Sequence, residues 1–303
     1  MGREIGLVII TGQVGPDRET ARWVEIRELA LRAEALGFDT VWAPDELLWR
    51  PEGRPPLGVW EGVAMLGGLA AVTTRIKVGS WVMSALHRNP GITAKVAETL
   101  DEISGGRFLF GLGAGHAWPG QAHAFGLPED HIYARFEEAL EIIVPLLRAG
   151  RAEFQGTWHA ANDLEQRPLG PRPGRIPIML AGHGERGMRH AARLADIWSC
   201  YAEQRSDVAE LGPRIAALEA ACAEVGRDPA TIGRSAGIDV APAARPGSPG
   251  ISAGAVGGSS EEIADSLRRL YEVGFTQLEC TLYPQSRASL EAMAPVLESL
   301  VSA

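Results

Sequence analysis

Short apolar runs alternate with amphipathic segments along the whole chain, and this alternation is the main structural signal of the sequence. Apolar runs bounded by glycine or polar residues are typical of strands that are covered on both faces. They predict strands over 5–10, 40–43, 76–83, 108–112, 178–181, 196–200, 235–240 and 277–282. Apolar residues spaced three and four apart predict helices over 19–36, 59–71, 91–103, 133–148, 185–194, 208–225, 259–273 and 286–301.

About eight strand–helix pairs fit this pattern, which favours an α/β fold of the (β/α)8 TIM barrel type with insertions. We expect one domain over residues 1–303, because no break between the pairs resembles a linker. The competing architecture, an open doubly wound sheet, predicts a Gly-x-Gly-x-x-Gly turn after the first strand, and 12–15 does not supply one. The Pro/Gly-rich segment 241–258 is a predicted long loop, of the kind that forms lids or binding loops or is disordered.

Composition narrows the class of protein. A hydrophobic fraction of 46% provides for a sizeable core, and a net charge of -9 argues against nucleic acid or anionic membranes as partners. No apolar run reaches transmembrane length and no signal peptide is evident, so we expect a cytoplasmic protein. Cys200, Cys222 and Cys280 have neither Cys-x-x-Cys pairing nor zinc spacing, which favours buried, reduced thiols. The seven histidines show no metal-ligand spacing, so no metal is expected.

A glycine-rich turn follows the fourth predicted strand and carries a histidine. Gly113 and Gly115 allow a sharp turn or a close approach to a ligand, and His116 follows the strand end. In a parallel α/β barrel the carboxyl ends of the strands form the catalytic face. His116 is therefore either a catalytic residue or an exposed histidine of an ordinary turn. Arg107 starts the same strand at the opposite end, which predicts a structural role.

Candidate catalytic or binding residues also lie at two other strand ends. Asp45 and Glu46 follow the second strand, where they either bind a polar ligand and carry a proton or only cap a turn and face solvent. In the third strand, Trp81 is flanked by Ser80 and Val82. A large flat side chain at this place either backs a planar cofactor or fills the core.

A second glycine-rich turn joins a late strand to a helix. Its residues, 181–185, are Ala181, Gly182, His183, Gly184 and Glu185. Backbone N–H groups converge at a helix N-terminus and attract anions, and late strands of α/β barrels often build phosphate sites. The alternative is a glycine-rich turn without a ligand.

Taken in order, these segments resemble the bacterial luciferase-like family of flavin- and deazaflavin-dependent oxidoreductases. The resemblance covers nearly the whole chain, and the segments that carry it are 37–42, 75–79, 97–108 with the turn to His116, 135–142, 154–156, 182–184 and 191–198. It implies an eight-stranded barrel with insertions, a cofactor at the carboxyl mouth and a homodimer.

The resemblance also implies roles for particular residues. A bulge of the third strand, often with a non-prolyl cis peptide, backs the cofactor ring in this family, which corresponds to Ser80, Trp81 and Val82. The cofactor phosphate is expected at the turn 182–184, with Asp45, Gly113 and Gly115 also near the cofactor. Many relatives have Asp-His after the second strand, whereas this chain has Asp45 and Glu46. His116 is therefore the expected proton-transfer residue, with Glu46 as the other candidate.

The resemblance implies that the cofactor is either coenzyme F-420 or FMN. The two glycine turns favour F-420, and hence hydride transfer to or from a small organic substrate. The alternative is a two-component FMN monooxygenase that uses reduced flavin from a separate reductase and O2. A non-catalytic flavin-binding barrel is the hypothesis from another class. The substrate is expected to contact the segments 47–56, 118–131 and 241–258.

Overall fold

A computed structural model describes residues 2–14, 19–50, 53, 55–115 and 120–301, and these residues adopt the predicted (β/α)8 barrel fold. Its sheet contains eight main strands, which in chain order are β1 (Glu4–Val8), β2 (Thr40–Ala43), β3 (Lys77–Ser80), β4 (Phe108–Gly113), β5 (Ile178–Ala181), β6 (Ile197–Tyr201), β7 (Gly233–Ala241) and β8 (Gln277–Leu282). Their apolar side chains are nearly all buried, as the uninterrupted apolar runs predict.

Ten α-helices alternate with these strands in the described part of the chain: α1 (Trp23–Leu36), α2 (Gly62–Val72), α3 (Pro90–Ser104), α4 (Gln121–Phe125), α5 (Ile132–Ala149), α6 (Glu185–Leu194), α7 (Val208–Glu224), α8 (Ser260–Glu272), α9 (Arg287–Ala292) and α10 (Ala294–Val301). Shorter strands lie at Gln13–Val14, Glu19–Thr20, Leu48–Trp49, Leu57–Gly58, Met83–Ser84 and Val256–Gly257, and a 3-10 helix lies at Pro229–Thr231. Arg151–Gln155 and Ala160–Glu165 pair antiparallel as a hairpin.

The residues form two compact units, of which the first comprises Met1–Ile10, Val14–Trp42 and Met179–Ala303. Its strands lie side by side in the order β5, β6, β7, β8, β1, β2, and each neighbouring pair is parallel. Leu7 of β1 is paired with Cys280 on one side and with Val41 on the other. Because the strands are parallel, their carboxyl ends lie on one edge of this unit.

The second unit comprises Thr11–Gln13 and Ala43–Ile178. In it β3 pairs with β4 in parallel, with Val78 opposite Phe108. The strand Met83–Ser84 pairs with the carboxyl end of β4, with Met83 opposite Leu112. The segment after β3 thus returns to the sheet beside the end of β4.

Three differences between the predicted and the observed elements have a structural explanation. The first helix begins at Trp23 because Glu19–Thr20 pairs with Gln13–Val14 as a small sheet. The third strand stops at Ser80, and the next peptide bond, Trp81–Val82, is cis. The last predicted helix is two helices, since Pro295 lacks the N–H that a continuous helix needs and fits instead in the first turn of α10.

Other details follow the sequence signals. Gly37 ends α1 in the left-handed conformation, with φ 93°, and Ser259 and Glu262 form a capping box at the start of α8. Cys200, Cys222 and Cys280 are buried and form no disulfide. Among the described residues, the structure has no helix that is long and apolar enough to cross a membrane.

Candidate functional site

The exit of β2 and the exit of β3 lie against each other in the second unit. The backbone N–H of Trp81 donates to the carbonyl of Ala43 at 2.8 Å. The buried hydroxyl of Ser80 donates to the carbonyl of Gly111 and accepts from its N–H, both at 2.8 Å. Ser80 therefore joins β3 to β4, and the residues that follow β2, β3 and β4 form one candidate site.

Asp45 is the most strongly bound side chain of this site. Its buried carboxylate accepts from the backbone N–H of Ser84 at 3.0 Å and from both terminal nitrogens of Arg88 at 2.7 and 2.8 Å. The Nδ1 atom of His87 lies 3.3 Å away. Burial would raise the pKa of Asp45, but hydrogen bonding from His87 and Arg88 outweighs burial and lowers it. Asp45 is thus held as a carboxylate, with protein donors on both oxygens.

The ion pair continues to the start of α2. Arg88 also donates to Glu61 at 2.5 Å, and Glu61 caps α2 by accepting from the N–H of Ala64. Gly62 begins this helix, and a Cβ there would lie 2.6 Å from the carbonyl of Pro44. The absent side chain lets α2 approach the exit of β2 closely. The Asp45–Arg88–Glu61 network therefore fixes the backbone on which Glu46 is placed.

Glu46 is the neighbouring carboxyl group, and its environment raises its pKa, whereas that of Asp45 lowers the pKa of Asp45. Burial raises its pKa to about 7, partly offset by the side chain of Gln121 and the charge of His87, while the charge of Asp45 adds to the increase. Its Oε2 atom is buried and has no hydrogen-bond partner among the described residues. Glu46 can therefore gain or lose a proton near neutral pH, which is what an acid–base group requires.

Gln121 organises the loop that carries Glu46. This side chain is buried, and its Oε1 atom accepts from the N–H groups of Leu47 and Leu48 at 3.0 and 2.9 Å. Its Nε2 atom lies 3.4 Å from Nε2 of His87. Gln121 thus links α4 to the segment after β2 and to the segment before α3.

Trp81 and Val82 are partly exposed, whereas Trp42 and Trp198 are fully buried. Trp81 is thus less enclosed than these two core tryptophans, and its role in backing a planar cofactor stays a prediction. The cis bond between them lies where the resemblance places one.

The two glycines after β4 have a packing explanation. A Cβ on Gly113 would lie 2.9 Å from Cγ2 of Val82. Gly115 has φ 109°, and a Cβ there would lie 2.7 Å from Leu86. Both glycines make room for the segment 82–86, and their predicted contact with a cofactor is untested.

The turn 181–185 lies in the first unit, between β5 and α6. Gly182 has φ 145°, its N–H donates to Ser199, and its carbonyl accepts from the indole of Trp198 at 2.6 Å. Gly184 is the N-cap of α6, makes no side-chain cap, and has open space where a Cβ would lie. The N-terminus of α6 thus has no side-chain cap, and its predicted contact with a phosphate stays a prediction.

Two side chains of this turn have exposed partners. Nε2 of His183 lies 3.1 Å from Glu203, and Glu185 pairs with Arg189 one turn along α6 at 2.8 Å. All four side chains are solvent-exposed, so these pairs add little to stability.

His116 lies outside the described residues, and its predicted catalytic role stays a prediction. The sequence analysis did not identify His87, Arg88 and Gln121 as site residues. Asn89 and Pro90 form an N-cap signature shortly after the strand Met83–Ser84, which places His87 and Arg88 between that strand and α3 and was available as a signal. No sequence pattern marks Gln121. In the described part of the chain, no group of three or more metal-ligating side chains comes together.

Comparison with known proteins gives one family match, described as luciferase-like monooxygenase, over residues 4–248. Pyrimidine monooxygenase RutA of Cronobacter sakazakii is 34% identical over 173 residues, which are 55% of this chain and 50% of that protein. The chain thus spans about half the length of the curated relatives it matches.

Two solved structures share the fold. An F-420-dependent secondary alcohol dehydrogenase with an F-420–acetone adduct has a TM-score of 0.80 at 18% identity, covering 99% of both chains. The riboflavin lyase RcaE, with modified FMN and riboflavin, has a TM-score of 0.81 at 18% identity, covering 100% of this chain and 92% of that one.

Proposed function

The chain belongs to the luciferase-like monooxygenase family, and from this premise we propose that it is an oxidoreductase that uses coenzyme F-420. The reaction we propose is hydride transfer to or from a small organic substrate. The observation that carries the proposal is the carboxyl group of Glu46, whose pKa of about 7 makes it a proton carrier at the exit of β2.

Hydride transfer to a carbonyl group requires a proton as well as a hydride. Reduced F-420 supplies the hydride. Glu46 in its protonated form donates a proton to the carbonyl oxygen, and in the reverse direction its carboxylate accepts the proton of the hydroxyl group. Because the pKa of Glu46 lies near neutral pH, both forms are populated there, which suits a group that acts in either direction.

Two features of the chain fit parts of the cofactor. Trp81 is a partly exposed aromatic side chain at the end of β3, which we propose lies against the ring system. At the turn 182–184 the N-terminus of α6 has no side-chain cap, and this is where we propose that the phosphate binds. The unpaired Oε2 atom of Glu46 is a buried polar atom that lacks a partner in the protein, as expected where a ligand supplies one.

A second candidate function is favoured by the sequence relatives. Pyrimidine monooxygenase RutA is the name of relatives that match at 31–34% identity, whereas the structural match to the F-420-dependent enzyme rests on 18% identity and shows the fold alone. This observation supports an FMN-dependent monooxygenase that takes reduced flavin from a separate reductase. A non-catalytic flavin-binding barrel is the remaining proposal. In each case we propose a cytoplasmic homodimer.

Cofactor affinity distinguishes these functions. Titration of the purified protein with F-420 and with FMN, followed by fluorescence, is expected to give tighter binding of F-420. Tighter binding of FMN would favour the monooxygenase, and binding of neither would refute both. A non-catalytic barrel would bind a cofactor without turnover of any carbonyl or alcohol in a substrate panel.

The Glu46→Gln variant tests the proton carrier. We expect cofactor affinity close to that of the wild type and a rate of hydride transfer lower by a factor on the order of a hundred. Glu129→Gln is the matched control, because Glu129 is an exposed carboxylate of the same unit whose partner is the exposed His123. Equal rates for both variants would exclude Glu46 as the proton carrier.

A further inference from the structure

The second unit contains a cavity of about 270 Å³ beside the start of α3. Its polar lining consists of His87, Arg88, Asn89, Arg135 and His159. Among the described residues no aspartate or glutamate lines this cavity. The lining is therefore rich in nitrogen donors and has no carboxylate acceptor.

Arg135 is oriented by contacts on one side only. Its Nε and Nη2 atoms donate to Asp130 at 3.0 Å, and its guanidinium lies over the ring of Trp158 at 5.4 Å. The Arg135 side chain is 18% exposed, whereas Asp130 is 68% exposed and its charge is screened by solvent. The Nη1 atom has no acceptor among the described residues, so Arg135 retains donor capacity.

His159 faces the same cavity from the hairpin. Its backbone N–H donates to Glu138 at 2.9 Å, in a turn where Glu138 also accepts from the N–H groups of Thr157 and Trp158. The Nε2 atom of the ring is buried and has no partner among the described residues. A buried ring nitrogen without a partner costs free energy unless a ligand or water supplies one.

The third side of the cavity is the start of α3. Asn89 caps the helix by accepting from Gly91 at 2.9 Å, and the helix presents the positive end of its dipole there. Arg88 lines the cavity, but its charge is compensated by Asp45 and Glu61.

The acidic groups near this cavity, Asp45, Glu61, Asp130 and Glu138, each bind a donor of its walls. These bonds hold the wall residues in place, and none of the four carboxylates lines the cavity itself. The arrangement leaves Arg135, His159 and the start of α3 as the groups that an incoming ligand would meet.

We propose that this cavity binds one oxyanionic group, a carboxylate or a phosphate, of a small molecule. The guanidinium of Arg135, the imidazole of His159 and the side-chain amide of Asn89 line it, and groups of these kinds bind oxyanions by charge-assisted hydrogen bonds. A volume of about 270 Å³ is below the usual range for a small-molecule site, so the cavity fits an anionic group rather than a whole cofactor. The inference goes beyond the proposed redox function and does not depend on it.

Calorimetric titration tests the site directly, with inorganic phosphate and acetate as separate probes at constant ionic strength set with chloride. We expect one of the two oxyanions to bind with a saturable heat, which also distinguishes a phosphate from a carboxylate ligand. Arg135→Gln and His159→Gln should each weaken that binding roughly tenfold or more. Each variant removes a different donor. If circular dichroism shows that one of them is unfolded, the other still tests whether the cavity binds the anion.

Arg151→Gln is the control, since Arg151 is an exposed arginine on the same hairpin and does not line the cavity. Gly184→Val separates this site from the phosphate site proposed at the turn 182–184. If neither anion binds, or if binding is lost in Gly184→Val and unchanged in the cavity variants, the inference is wrong. Binding that depends on Arg135 or His159 would support it even if neither F-420 nor FMN binds.

Discussion

Replacement of Asp45 by asparagine removes the charge that holds Arg88 in place. Asp45→Asn keeps the size of the side chain, so its effect reports the charge and the lost acceptor rather than a cavity. In the wild type the Asp45 side chain is fully buried, and Arg88 is 15% exposed. The variant therefore leaves a largely buried guanidinium with Glu61 as its remaining carboxylate partner.

The expected loss of stability follows from this burial. Removal of one partner of a buried ion pair typically costs about 3–5 kcal/mol. Because Glu61 still pairs with Arg88, we expect the lower end, about 3 kcal/mol in the free energy of unfolding. The backbone N–H of Ser84 also loses a charged acceptor, which acts in the same direction.

Denaturant unfolding of wild type and Asp45→Asn measures this difference. Asp130→Asn is the control, because Asp130 makes the same kind of pair with Arg135 but is 68% exposed, and we expect it to cost much less stability than Asp45→Asn. The pKa of Asp45 is lower in the folded state than in the unfolded state, so its stabilisation is present above about pH 4 and is lost as the pH falls further. A loss below about 1 kcal/mol for Asp45→Asn would refute the reasoning.

Three further predictions use other parts of the structure. The guanidinium of Arg107 donates to Thr73 and to the carbonyls of Ala70 and Ile76, so Arg107→Lys should lower the free energy of unfolding by about 2 kcal/mol with turnover per folded molecule unchanged. Gly184→Val should leave the protein folded, as its Cβ meets open space, and weaken cofactor binding roughly tenfold or more in a fluorescence titration. For Glu46, stopped-flow rates of substrate reduction should fall as the pH rises through about 7 while rates of oxidation rise, and Glu46→Gln should show neither change.

The fold was predictable because each barrel strand is an apolar run and each helix has a capping or periodic signal. Gly37 and the Ser259–Glu262 capping box mark helix ends where the structure has them. Pro295 also carried a signal, the break between α9 and α10, which the prediction of one helix over 286–301 overlooked. The small sheet of Gln13–Val14 with Glu19–Thr20 depends on pairing between short segments, which periodicity does not report.

The site was less predictable, because the properties of its residues arise from neighbours distant in sequence. Arg88 follows Asp45 by 43 positions and Gln121 follows Leu47 by 74, and no local pattern connects them. Two glycines show a second limit of what the sequence can predict about the site. Gly113 and Gly115 suggest close approach of a ligand, yet in the structure their missing side chains are already explained by Val82 and Leu86. A glycine in a sequence indicates that another group packs closely against the backbone, but it does not tell whether that group is a ligand or part of the protein.

Asp45 and Glu46 show how two adjacent carboxyl groups acquire different functions. Donors from Arg88 and Ser84, with Nδ1 of His87 3.3 Å away, keep Asp45 ionised, whereas burial without a partner for Oε2 raises the pKa of Glu46. The charge of Asp45 itself adds to that increase. The ion pair with Arg88 therefore does more than anchor the strand exit, since it maintains a negative charge next to the group that holds the proton. On this argument Asp45→Asn should lower the pKa of Glu46 as well as the stability, which separates a positioning residue from a purely structural one.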